Sequence, residues 1–130
     1  MKKLILIILL VIPIRAIAPQ VSEFVIADIG GTNPLELLWR ATCLVESNND
    51  VTAFNAKEGA CGVAQIRECR IRHFNSLTGK NYKLKDCFNP EVSKEVFMWF
   101  ATEDLEKTSR KWNGSGKMTD KYWNKIKARL

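Results

Sequence analysis

The stretch "NPLELLWRATCLVE", residues 33–46, decides the fold that we predict for this chain. Asn33 followed by proline is typical of a helix start, because the Asn side chain can cap free backbone amides and proline suits the first helical turn. Leu35, Leu38, Trp39 and Thr42 then recur at spacings of three and four, which places them on one helical face. The stretch therefore predicts an amphipathic helix at the start of a mainly α-helical domain.

Glu46 is the next member of that series, four residues after Thr42, so a carboxyl group falls on the buried face. Burial disfavours the charged form and raises the pKa of a carboxyl group, which suits an acid that must keep its proton near neutral pH. The alternative is that the helix ends at Val45 and Glu46 turns into solvent. Periodicity alone leaves both possibilities open.

Length and composition limit the organisation of the chain. With 130 residues, 46% hydrophobic and 26% charged, the chain suffices for one packed domain and is too short for two. Residues 1–18 have a basic tip, an apolar run and an A-x-A ending, which together predict a signal peptide. We expect a linker over residues 19–33 and the folded domain over residues 34–130.

The signal implies export to the periplasm or the cell exterior. An uncleaved membrane anchor stays an alternative, because Arg15 interrupts the apolar run and Pro19 directly follows the expected cleavage site. Cleavage would remove three positive charges and lower the net charge from +6 to +3. The remaining basic residues gather near the end of the chain, at Lys117, Lys121, Lys125, Lys127 and Arg129. We expect a solvated helix face there, with an acidic wall polymer as a further possibility and no nucleic-acid partner.

Four cysteines follow the signal, at Cys43, Cys61, Cys69 and Cys87, and an even number in an exported chain predicts two disulfides. The sequence leaves all three pairings open. A zinc site is the alternative, but no C-x-x-C spacing occurs and His73 is the single histidine. We therefore expect no metal and no cofactor.

Two further segments have the composition of a sugar-binding cleft. A cluster of small residues over 59–62 would let backbone approach a substrate, and Gln65 follows it. Trp112 and Asn113 form an aromatic-amide pair, and Tyr122 belongs to a second aromatic pair. Sugar rings stack on flat apolar faces, while amide side chains bind their hydroxyl and acetamido groups.

Glu46-Ser47, "GVAQI" (residues 62–66) and "RKWNGS" (residues 110–115), in this order and spacing, resemble the lytic transglycosylases of the soluble type. The resemblance covers roughly residues 34 to 127. That family shares the lysozyme-like fold with goose-type lysozymes. The resemblance therefore implies a mainly α, lysozyme-like fold with a substrate cleft and at most a small β-hairpin.

The resemblance also implies roles for single residues. Glu46 would be the catalytic acid and base, and Ser47 would help to hold either Glu46 or the sugar. Gln65 would line the cleft and Asn113 would contact substrate, while Trp112 stands where the family has tyrosine. We add Trp112 and Tyr122 to the expected substrate-binding residues.

The implied activity is cleavage of the MurNAc-GlcNAc β-1,4 bond of peptidoglycan with formation of a 1,6-anhydro sugar. A single carboxyl group suffices for this reaction, because the substrate supplies the nucleophile. If Asp50 or Glu58 positions a water, the enzyme is instead a hydrolytic muramidase. A noncatalytic peptidoglycan-binding module is the third possibility. The expected partner is the glycan strand, bound by a monomer that a secretion or conjugation apparatus could recruit.

Three more segments have helical patterns. Asn89-Pro90 resembles another helix start, after which Val92, Val96, Trp99 and Phe100 recur at helical spacing and predict a core helix.

Residues 102–112 continue in a helical pattern that Asn113-Gly114 would end. Residues 66–78 predict a further helix stopped by Gly79. Its basic side, made by Arg67, Arg70 and Arg72, could face stem-peptide carboxylates or only solvent.

Overall fold

The computed structural model describes residues 33–130, which form five α-helices, one 3₁₀ helix and three short strands. The predicted mainly α class is confirmed. The predicted signal peptide and all but the last residue of the predicted linker lie outside the described residues. In chain order the elements are α1 Pro34–Ser47, β1 Phe54–Asn55, β2 Ala60–Cys61, β3 Ile66–Arg67, α2 Glu68–Thr78, the 3₁₀ helix Leu84–Phe88, α3 Pro90–Phe100, α4 Leu105–Asn113 and α5 Met118–Lys127.

Helix α1 begins at its predicted cap, and the structure decides between the two possible ends. The Asn33 side chain accepts a hydrogen bond from the Leu35 amide at 3.0 Å. At the other end Asn48 adopts a left-handed conformation (φ 56°), and its amide bonds to the Cys43 and Leu44 carbonyls. Glu46 therefore lies in the last helical turn, and the alternative of a helix that ends at Val45 is wrong.

A small antiparallel sheet in the order β1-β2-β3 packs beside the helices. Phe54 pairs with Cys61, and Cys61 pairs in turn with Ile66. The sheet has one strand more than the hairpin that we expected, because the turn from Gly62 to Gln65 reverses the chain a second time. The Gln65 amide closes this turn on the Gly62 carbonyl at 3.1 Å.

The core lies where α1, α3, α4 and α5 meet. Phe97 of α3 is fully buried and contacts the rings of both Trp39 and Trp112, with centroid distances of 5.3 and 4.9 Å. Leu38, Ile71, Phe74, Val96 and Ile126 are buried with it. This aromatic contact joins the first helix to the segment that carries Trp112.

Helix α3 starts at its predicted cap, since Asn89 accepts a hydrogen bond from the Glu91 amide at 2.9 Å. The expectation that Trp99 belongs to the core is wrong, because this side chain is 53% exposed and touches Phe74 only edge-on. Phe97, two positions earlier, takes the core position. The helix is rotated so that the stripe Ser93-Val96-Phe97 faces inward.

Helix α4 begins later than the helical pattern predicts. Asp104 caps it by accepting the Lys107 amide at 2.9 Å, so residues 101–104 separate α3 from α4. Helix α2 ends at Gly79 (φ 73°), as predicted, with the glycine amide bonded to the Asn75 carbonyl.

All four cysteines are free thiols in place of the two predicted disulfides. Cys43, Cys61 and Cys87 pack in the core as small apolar side chains, whereas Cys69 is exposed. Burial raises the pKa of Cys43 and of Cys87 to about 12, so both remain protonated.

Among residues 33–130 no helix is both long and apolar enough to cross a bilayer. Over the same range, no three Cys, His, Asp or Glu side chains converge in a way that could hold a metal ion.

Gly62 is the position where the fold most needs glycine. Its φ is +75°, and an added Cβ would lie 2.0 Å from the Cys87 carbonyl oxygen. We expect Gly62→Ala to lower the free energy of unfolding by roughly 2–4 kcal/mol, through backbone strain and displacement of the 3₁₀ helix. Thermal or urea denaturation measures the loss.

Gly79→Ala is the matched control, because Gly79 also has a positive φ but a Cβ there would meet nothing within 4 Å. This variant should lose only about 1–2 kcal/mol, from the left-handed conformation alone. Equal losses of stability in the two variants would show that the close approach to the Cys87 carbonyl does not contribute to the effect.

Candidate active site

One cavity of about 350 Å³ opens beside the end of α1, and we call it the Glu46 cleft. Its walls come from the end of α1, the small sheet, the start of α2 and the end of α4. The lining residues are Glu46, Asn55, Glu58, Gln65, Arg67, Cys69, Arg70, Trp112, Asn113 and Gly114. Four of the six residues that we predicted for the site, Glu46, Gln65, Trp112 and Asn113, thus meet in one place.

Glu46 is partly buried at the wall of the cleft. Its Oε1 accepts a hydrogen bond of 2.7 Å from the Tyr122 hydroxyl, across 76 positions of sequence. Burial raises the pKa of Glu46 above its ordinary value, while the Tyr122 hydrogen bond and the positive charge of Arg67 act in the opposite direction. The result is a carboxyl group that can carry a proton at a higher pH than an exposed glutamate.

Tyr122 lies behind Glu46 and does not line the cleft. Its side chain is only 7% exposed and belongs to the hydrophobic core. Burial and the adjacent Glu46 charge raise the pKa of its phenol, so the hydroxyl remains a donor. The structure therefore places Tyr122 as a residue that positions Glu46, in place of the predicted contact with substrate.

Ser47 also lies outside the lining of the cleft. Its hydroxyl donates to the Val63 carbonyl at 2.8 Å and makes a longer bond of 3.3 Å to the Cys43 carbonyl. We expected Ser47 to hold either Glu46 or the sugar. The geometry fits the first role, because the bond to Val63 ties the end of α1, and with it Glu46, to the turn from Gly62 to Gln65.

Gln65 lies in the cleft wall with a strained backbone. Its φ is +51°, a backbone conformation that residues other than glycine rarely adopt. The side-chain amide donates to the Gly62 carbonyl at 3.0 Å and to the Ala53 carbonyl at 3.3 Å. These two bonds fix the orientation of the Gln65 side chain, and strain of this kind concentrates at functional sites.

Trp112 and Asn113, at the end of α4, also line the cleft. Trp112 is 7% exposed, and its indole nitrogen donates to the Ala64 carbonyl at 3.2 Å. Only part of the ring surface is therefore available to a ligand. Asn113 is exposed and offers both a donor and an acceptor.

Several lining residues were not among the predicted site residues. Asn55 and Gly114 have no sequence signal beyond their turn composition. Arg67 and Arg70 are three positions apart, so helical spacing could have placed both on one face of the predicted helix. Arg72, which we grouped with them, is exposed outside the cleft.

The two loop carboxylates that we considered as partners of Glu46 have different environments. Asp50 caps its own turn, because it accepts hydrogen bonds from the Thr52 amide and hydroxyl, and it does not line the cleft. These bonds lower the pKa of Asp50. Glu58 does line the cleft, where it forms an ion pair with Arg67.

Together these side chains can act on a polar ligand. A partly buried acid faces a groove that also presents three amide side chains, a second carboxylate and two guanidinium groups. Such a set can protonate a leaving group while amides and cations orient the ligand around it.

The hydrogen bond from Tyr122 allows a prediction about the pKa of Glu46. The bond stabilises the ionised carboxylate, so Tyr122→Phe should raise the pKa of Glu46 further. Carbon-13 NMR of labelled glutamate side chains, followed over a pH titration, measures this pKa. Tyr82→Phe is the control, because its hydroxyl bonds to Glu95 and not to Glu46. An unchanged or lowered Glu46 pKa in Tyr122→Phe would contradict the positioning role.

Comparison of the chain with models of protein families, with curated proteins and with solved structures finds no match.

Proposed function

We propose that the protein is a peptidoglycan-cleaving enzyme with a lysozyme-like fold, and that it acts as a lytic transglycosylase on the MurNAc-GlcNAc β-1,4 bond. The observation that carries the proposal is the partly buried carboxyl group of Glu46, whose pKa is raised, in a cleft that also contains Gln65, Trp112 and Asn113. These are the residues of the three motifs that resemble the family.

In the proposed reaction the Glu46 carboxylic acid protonates the glycosidic oxygen, and the bond from this oxygen to muramyl C1 breaks. The positive charge that develops at C1 is shielded by the substrate's own N-acetyl oxygen. The Glu46 carboxylate then removes the proton of the muramyl 6-hydroxyl, whose oxygen bonds to C1. The product is a 1,6-anhydro sugar, no water is consumed, and Glu46 regains its proton.

The environment of Glu46 suits both halves of this reaction. One carboxyl group must act first as acid and then as base, so its pKa should lie near the working pH. Burial supplies the upward shift, and the Tyr122 hydrogen bond limits it. Gln65 and Asn113 are the amides that would bind the acetamido and hydroxyl groups of the sugars on either side.

Hydrolysis by a muramidase of the same fold is a second candidate, and the position of Glu58 favours it. Glu58 lines the same cleft, and its charge contributes to the raised pKa of Glu46, so the two carboxylates lie within electrostatic reach. Arg67 pairs with Glu58 and holds this side chain at the cleft. A glycosidase with two carboxylates could use the second one to activate a water.

The proposal extends to location and partners. The predicted signal peptide would bring the enzyme to the periplasm or the cell exterior, where its substrate is the glycan strand of the wall. We propose that it works as a monomer. Recruitment by a secretion or conjugation apparatus would fit a small enzyme that opens the wall locally.

Glu46→Gln tests the proposed acid. The substitution keeps the size of the side chain and removes the proton transfer, so release of soluble muropeptides from purified peptidoglycan should fall by roughly 10²–10⁴-fold. Glu36→Gln is the control, because Glu36 lies on the same helix in ion pairs with Arg40 and Lys94, outside the cleft. A wild-type protein that binds peptidoglycan but releases nothing would instead be a noncatalytic binding module.

Glu58→Gln separates the two candidate reactions. A transglycosylase should retain activity within about threefold and give anhydro products, which are one water lighter than reducing ends in a mass spectrum. A hydrolase should give reducing ends and should lose about 10²-fold or more of its activity in the variant. Asp50→Asn serves as the control, because Asp50 lies outside the cleft.

A further inference from the structure

Arg70 is a cation that the structure holds in place without giving it an anion. Its guanidinium carbon lies 4.1 Å from the centre of the Trp112 ring and 5.6 Å from that of Phe100. Its Nη2 donates to the Trp112 carbonyl at 3.0 Å and, less directly, to the Lys111 carbonyl at 3.4 Å. Both carbonyls belong to the last turn of α4, where free acceptors attract a cation.

These contacts leave most of the hydrogen-bonding capacity of Arg70 unused. A guanidinium group carries five N–H donors, and within residues 33–130 only Nη2 has an acceptor. No carboxylate of the described chain lies within ion-pair distance of Arg70. Burial lowers the pKa of Arg70, and the Glu46 charge acts in the opposite direction only as long as Glu46 is ionised. A partly desolvated cation without an ion-pair partner is unfavourable, and its unused N–H groups can donate hydrogen bonds to an anionic ligand.

The neighbouring cations differ from Arg70 in this respect. Arg67, three residues earlier, is paired with Glu58 at the same cleft. Arg110 on α4 is paired with both Glu106 and Asp120. If Glu46 is protonated, the charges of Glu58, Arg67 and Arg70 leave the cleft with one net positive charge, and Arg70 carries it.

We propose that Arg70 is a specificity-determining residue that binds a carboxylate of the muramyl side chain, and so selects peptidoglycan over neutral glycans. This inference rests on the proposed function. Arg70 and Glu46 line the same cleft, so a strand that presents its glycosidic bond to Glu46 brings its muramyl substituents to this part of the wall. Arginine suits the task because its planar fork can hold both oxygens of a carboxylate.

Two parts of the substrate carry the required carboxylate. In intact strands the carboxylates belong to the stem peptide, since the lactyl group is tied up as an amide. In strands from which the peptides have been removed, the lactyl group itself ends in a carboxylate. Chitin, which lacks both, should be a poor ligand.

The test is equilibrium binding of defined strands to Glu46→Gln protein, so that no strand is cut during the measurement. Four probes are needed: soluble peptide-bearing strands, soluble peptide-free strands, and each of these with its carboxylates converted to neutral methylamides. We expect the neutralised form of at least one kind of strand to bind roughly tenfold or more weakly, as loss of a charge-assisted hydrogen bond predicts. The kind of strand that shows the loss identifies the lactyl group or the peptide as the source.

Adding Arg70→Gln to the same protein should weaken binding of the carboxylate-bearing strands by a similar factor and leave the neutralised strands unchanged. Arg70→Lys should restore part of the difference, because it keeps the charge without the fork. Arg72→Gln is the matched control on the same helix, since Arg72 is exposed outside the cleft, and it should bind all four probes like the parent protein. Circular dichroism melting checks that each variant is folded.

Two results would contradict the inference, and a third would separate it from the proposed function. If Arg70→Gln weakens charged and neutralised strands equally, Arg70 only supports Trp112 and the inference is wrong. If parent protein binds both forms of each strand equally, the inference is also wrong. If the binding pattern is as expected but wild-type protein cleaves no strand, the carboxylate site stands and the proposed enzymatic function fails.

Discussion

The candidate site depends on one hydrogen bond, from the Tyr122 hydroxyl to the partly buried Glu46 carboxyl group. The bond joins the first described helix to the last one, and it can form only when α1 and α5 pack side by side. A carboxyl group left alone at this depth would be unfavourable, because burial removes it from water. Tyr122 supplies one specific donor while the other side of Glu46 stays open to the cleft. The packing of α1 against α5 therefore also determines the environment of the Glu46 carboxyl group.

The turn from Gly62 to Gln65 is the second organising feature, because it is anchored from several directions. Ser47 at the end of α1 bonds to the Val63 carbonyl, and Trp112 at the end of α4 bonds to the Ala64 carbonyl. The Gly62 amide bonds to the Ala53 carbonyl at 2.8 Å. Three separate parts of the chain therefore hold one short turn, which explains how a loop of small residues can form a defined wall beside Glu46.

The sequence predicted the helices well and their inward faces less well. The caps at Asn33 and Asn89 and the stop at Gly79 depend on local backbone chemistry, which is why they could be read from adjacent residues. Trp99 and Phe97 lie two positions apart, and only the partners Trp39 and Trp112 decide that Phe97 is the buried one. The three two-residue strands have no periodicity to detect. Their existence follows from long-range turns that a local pattern does not contain.

The candidate site shows the same division between local and distant information. Glu46 was found because a charge interrupted an apolar stripe, and Gln65, Trp112 and Asn113 were found by their motifs. Tyr122 was predicted to contact substrate, because the sequence alone does not show whether an aromatic side chain near an amide faces a ligand or the core. Arg67 and Arg70 were not predicted as site residues for a related reason, because the lack of an ion-pair partner for Arg70 depends on which helices surround it.

The strained backbone of Gln65 and the desolvated acid beside it have a consequence for directed evolution of this protein. Both features oppose folding, so a library screened only for heat resistance would enrich replacements such as glycine at position 65 and uncharged residues at position 46. Variants chosen in that way would be more stable and would have lost the groups that distinguish the cleft from an ordinary surface groove. Screens on this scaffold should therefore select for the proposed activity and for stability in the same round.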